Sequence, residues 1–117
     1  MILEGMDMNR ENGGNTMSVA RIQHKVIFNL KVEVGSEQAD QFLSKSKAIL
    51  EVIPGVYDFQ VLRQVSSKND YDYGFSMEFE DQAAYDAYNT HPVHMEYVEN
   101  IWKNEVARFL EIDFTAV

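Results

Sequence analysis

From Val19 onwards apolar residues recur at every second position. Ala20, Ile22, Val26, Phe28, Leu30, Val32 and Val34 share one face with His24, while Arg21, Gln23, Lys25, Asn29, Lys31 and Glu33 take the other. This alternation predicts a long half-buried strand, broken by Gly35, with Ser36 as N-cap of the next helix. In that helix Ala39, Phe42, Leu43, Ser46, Ile49, Leu50 and Ile53 recur at helical spacing until Pro54-Gly55 stops it. Residues 56–65 read as a second strand and 66–70 as a polar turn. A third strand then places Tyr71, Tyr73, Phe75, Met77 and Phe79 on one face. Asp81 caps a short helix carrying Ala84, Tyr85 and Tyr88.

A proline joint, His91-Pro92, interrupts the second helical stretch. Its continuation is predicted to turn Met95, Val98, Ile101 and Trp102 inward, and a last strand runs from about Arg108 to Phe114. The order β-α-β-β-α-β predicts an α+β, ferredoxin-like fold, an antiparallel sheet with helices on one face. One domain is expected over residues 19–117. Residues 1–18 hold polar and flexible residues together with four methionines, carry no periodic apolar face, and read as a flexible extension. The other face of the sheet, with Ile27 and Leu62 as candidates for it, needs cover, and two copies packed sheet to sheet supply it. A homodimer is therefore expected.

Composition narrows the function. Ten Lys and Arg stand against nineteen Asp and Glu, a net charge of -9, so the basic face of a nucleic-acid or anionic-membrane binder is missing. No apolar run approaches the roughly twenty residues of a membrane span, and the N-terminus lacks a signal-peptide layout. A cytoplasmic protein is expected. The absence of cysteine excludes disulfides, thiolate metal sites and a cysteine nucleophile. There is no phosphate-cradling glycine loop, serine elbow or H-E-x-x-H motif.

Candidate chemistry gathers at Tyr88-Asn89-Thr90-His91-Pro92-Val93-His94. Proline biases the preceding residue away from the helical region and suits the first position of a helix, so a phenol and two imidazoles meet at a helix–helix corner. His94 at the third helical position feels the positive end of the helix, which favours a neutral, proton-accepting ring.

The segments Ile22-Gln23-His24-Lys25-Val26-Ile27-Phe28, Ile53-Pro54-Gly55-Val56, Gly74 to Asp81, Tyr88 to His94 and Phe109 to Phe114 together resemble the stress-responsive α/β-barrel (Dabb) family. The resemblance implies a dimeric barrel of two ferredoxin-like protomers. One enzymatic branch is similar to plant polyketide cyclases, which close a ring by an aldol-type step with a tyrosine and a histidine. Tyr88 and His94 stand at those positions, Asp113 where a carboxylate orients the histidine, and His24 at a first-strand histidine near the same pocket. Ser46 and Glu111 depart from the pattern, where an aromatic and an apolar residue are usual.

Three readings follow. In the first, a pocket between sheet and helices binds a small apolar or aromatic molecule, with His24, Phe28, Phe42 and His91 at the ligand. In the second, a cofactor-free cyclase or lyase uses Tyr88 as acid or oxyanion donor, His94 as base and Asp113 as its orienter. In the third, the dimer is purely structural and a His94–Asp113 bond only ties helix to strand. No metal or cofactor is expected, since the joint histidines stand three apart across a proline break and need not share a face.

Overall fold

In a computed structural model, residues 21–117 are described; the predicted extension 1–18 and the first two residues of the predicted domain lie outside them. Strand β1 (Ile22–Leu30) leads into helix α1 (Glu37–Leu50), then strands β2 (Tyr57–Arg63) and β3 (Tyr73–Phe79). Helix α2 (Gln82–Thr90) and helix α3 (Pro92–Tyr97) meet at His91. A π-helical stretch (Val98–Trp102) and one last helical turn (Lys103–Glu105) then lead to strand β4 (Val106–Phe114). The sheet order is β2-β3-β1-β4, with every neighbouring pair antiparallel.

Local chemistry sets these boundaries. The Ser36 hydroxyl accepts from the Ala39 N–H at 3.2 Å, and the Asp81 carboxylate from the Ala84 N–H at 2.9 Å, so both caps satisfy an orphan donor. His91 caps α3 in the same way: its Nδ1 accepts from the Val93 N–H at 3.1 Å, and Pro92 opens the helix. Gly55, at φ 93°, supplies the left-handed residue that turns the chain after α1.

Strand β1 is shorter than the alternation predicts. β3 begins at Tyr73, opposite Phe28, so the chain past Leu30 has no neighbour on that side. It bends into the turn before α1, leaving Val32 and Val34 exposed. The central strand β3 is buried on both faces apart from Glu78, which is half-buried. Its inner residues Tyr73, Phe75 and Met77 pair with Phe28, Val26 and His24 of β1.

The core is an aromatic cluster. Phe28 meets Phe42 edge to face at 5.9 Å, Phe75 at 4.8 Å and Trp102 at 5.1 Å between ring centroids. Burial of each such ring contributes about 1.5–3 kcal/mol. Met95 does not join it and stays 57% exposed. Its place on the inner side goes to His94 and Tyr97, while Val98, Ile101 and Trp102 pack against the core as predicted.

The outer face of the sheet carries Ile27 on β1, Leu62 on β2 and Leu110, Ile112 and Phe114 on β4. Their register places them on the side away from the helices. All but Ile27, which is half-buried, are exposed in the single chain.

Candidate functional site

The inner face of β4 is where the sheet stays open. After Val106 the strand is exposed throughout; of its inner residues Phe109 meets the Trp102 ring edge to face at 5.5 Å, while Glu111 and Asp113 stay exposed. Between this edge, β1 and the α2–α3 corner lies a cavity of about 280 Å³. Val26, Leu50, Phe75, Met77 and Val98 give it an apolar floor. Tyr88, Tyr97, Trp102 and Phe109 give it aromatic walls, and His24, His94 and Glu111 bring polar atoms to it. Among the described residues no group of three or more metal-ligating side chains comes together.

Tyr88 and His94 project from opposite sides of the His91-Pro92 joint and both line the cavity, with ring centroids 4.4 Å apart. Tyr88 is only 2% exposed, and burial pushes its phenol well above the ordinary tyrosine value, so it stays protonated. His94 lies 3.2 Å by its Nδ1 from the Asn89 carbonyl oxygen. A carbonyl only accepts, so Nδ1–H donates and Nε2 is the free nitrogen. Burial lowers the His94 pKa below the usual imidazole value and favours the neutral ring; the Asn89 carbonyl opposes that shift without cancelling it.

Asp113 does not orient His94. In the register of β1 and β4 it sits directly opposite His24, and its Oδ1 lies 2.6 Å from the His24 Nδ1. His24 is 4% exposed, whereas the Asp113 side chain is 42% exposed, so a buried imidazole is tied to a carboxylate at the rim. The Tyr85 hydroxyl oxygen lies 3.1 Å from the same Nδ1. Burial, and next the Asp113 carboxylate, push its phenol well above the ordinary value. This Asp113–His24–Tyr85 cluster was not anticipated. The signal for it was the shared inner face of two strands: antiparallel alignment of those faces brings positions 24 and 113 together.

The other expected ligand residues lie elsewhere. Phe28 and Phe42 are fully buried against each other in the core and do not line the cavity. His91 is occupied in capping α3 and is likewise outside it. Ser46 is buried and accepts the Tyr97 hydroxyl at 2.6 Å, so a small residue there makes room for a tyrosine from the neighbouring helix. Burial also holds the Tyr97 phenol well above its ordinary value.

Comparison with known proteins gives the fold and family. Residues 22–116 match the Stress Responsive A/B Barrel Domain family, Dabb. A Dabb family protein with a ferredoxin-like fold from Mesorhizobium loti is 49% identical. It superposes with a TM-score of 0.82 over 84% of this chain and 98% of that one. The Arabidopsis thaliana protein At3g17210 is 23% identical (TM-score 0.72; 82% of this chain, 95% of that one). A dimeric ferredoxin-like protein of unknown function from Thermobifida fusca is 18% identical (TM-score 0.69; 91% and 100%). No curated protein matches. The family match over nearly all the described residues, joined to the 49% identity, places this chain in the stress responsive A/B barrel domain (Dabb) family.

Proposed function

We propose that this protein binds a small, mainly apolar or aromatic molecule in the cavity beneath the α2–α3 corner, and works as a homodimer. The observation that carries the reading is the cavity itself: about 280 Å³, walled by aromatic rings and open at the β4 edge, within the size range of a one-ring ligand. Self-association is supported by the apolar outer face of Leu62, Leu110, Ile112 and Phe114 and by the dimeric Thermobifida fusca protein. Among the described residues no helix is long and apolar enough to cross a membrane. A cytoplasmic setting belongs to the same proposal.

A second reading has one specific support. A buried tyrosine hydroxyl and a neutral-leaning histidine face the same cavity with rings 4.4 Å apart. In a cyclase- or lyase-type reaction Tyr88 would donate a hydrogen bond to a substrate carbonyl as charge builds on it, and His94 would accept the proton. Asp113 would then act through His24, the ring it holds, and not through His94.

The test is a screen of small aromatic and β-dicarbonyl compounds by thermal shift. Chemical-shift mapping then places each hit. Hits that perturb Tyr88, His94 and Trp102 support the cavity reading; saturable binding confined to other surfaces, or none, defeats it. Turnover of a hit that vanishes in His94→Ala with an unchanged melting temperature supports the enzymatic reading.

A further inference from the structure

The charge lining the cavity is one-sided: Glu111 brings a carboxylate and no described cationic side chain answers it. His24 gives its Nδ1–H to Asp113 at 2.6 Å, so in the neutral ring the remaining Nε2 is an acceptor. His94 gives its Nδ1–H to the Asn89 carbonyl at 3.2 Å, and its Nε2 is an acceptor for the same reason. Glu111, opposite Val26 on the inner face of β4, adds a carboxylate. The Tyr97 hydroxyl already donates to Ser46. Of the polar groups that line the cavity, the Tyr88 hydroxyl and the Trp102 indole N–H keep protons that no hydrogen bond among the described residues engages. Among the described residues, no lysine or arginine lines it.

Such a site has no countercharge for an anion and faces it with Glu111. Three acceptors set among aromatic rings suit a donor group carrying positive charge, which also gains from the ring faces. We propose that the cavity selects a hydrogen-bond-donating, non-anionic ligand, an arylalkylamine held as its ammonium ion by Glu111 and the two imidazole Nε2 atoms. The proposal rests on the ligand-binding reading above and adds the chemical class. Asp113 enters as a positioning residue, because its bond to Nδ1 fixes which His24 nitrogen faces the ligand.

A matched series tests it: benzylamine, benzyl alcohol, benzyl methyl ether and benzoate. Each is titrated into the full chain at about pH 8, where ordinary imidazoles are neutral and an alkyl ammonium persists. Benzylamine is expected to bind about tenfold tighter than the ether, with the alcohol between them and benzoate weakest. Glu111→Gln, at an exposed strand position, should bring the amine to within about twofold of the alcohol. Asp113→Asn should lower amine affinity and raise that of benzoate, since an amide can donate to Nδ1 and leave Nε2 protonated. A merely structural role would not reverse that preference. If the ether or benzoate binds as tightly as benzylamine, or Glu111→Gln leaves the amine preference intact, the inference fails while the ligand-binding reading stands. If none of the four shows saturable binding at the cavity, both fail. Should either variant not fold, the wild-type series decides alone.

Discussion

The inner layer has two halves built from the same kinds of residue, and only one of them is filled. Under α1, Phe28, Phe42, Phe59 and Phe75 close on one another, with Phe59 and Phe75 5.3 Å apart. At the β4 edge Tyr88, Trp102 and Phe109 surround a space instead. The difference is cover. β3 lies between two strands and is buried along its length, whereas β4 has one neighbour and is exposed after Val106. Aromatic content therefore does not decide whether a region becomes core or pocket. The position of its strands in the sheet does.

The contrast can be broken by substitution. Phe28→Ala, in the filled half, should cost about 3–5 kcal/mol in urea denaturation, because its neighbours cannot collapse into the space. Trp102→Ala, at the seam between halves, should cost less than Phe28→Ala and abolish ligand binding; an equal loss would show that the open half is core as well. Asp113→Ala should cost about 1–3 kcal/mol, since it leaves a buried imidazole N–H without its carboxylate. The loss should shrink when His24→Phe is made first, and an unchanged value in that double-mutant cycle would refute the coupling.

The smallest effect expected is on pH dependence. Burial lowers the folded-state pKa of His94, so on acidification the unfolded chain takes up its proton first. The contribution is fully present above the unfolded value of 6.5 and is lost as pH falls through the lower folded value. Denaturation midpoints of wild type and His94→Gln should diverge above that window and converge below it. Tyr85, Tyr88 and Tyr97 carry the opposite sign. Their folded values lie above the ordinary tyrosine value of 10.0, so stability should fall with rising pH beyond it.

The element order, both caps and the proline joint were legible because each depends on residues close in sequence. Ser36, Asp81 and Pro92 act within one turn of themselves. Long-range outcomes were harder. Val32 and Val34 continue the alternation of β1, yet the strand ends where its partner runs out. Phe28 and Phe42 carry the apolar character a ligand wall needs, but their depth depends on the helix packed above. Tyr88 and His94 were placed together from their spacing alone. Asp113 was given the wrong histidine, because its partner lies 89 residues away across a strand register that no local pattern states.

That crossing has a consequence for assembly of the chain. An edge strand exposed on both faces holds its register weakly, and a slip of one residue exchanges the two faces. Sliding β4 by one position would turn Asp113 outward, set Ile112 or Phe114 against His24, and leave the imidazole N–H buried without its carboxylate. The polar pair thus works as a proofreader of strand alignment. The outer apolar stripe exists only in the register that also completes the cavity, so one mispairing event would disable both surfaces of β4 together.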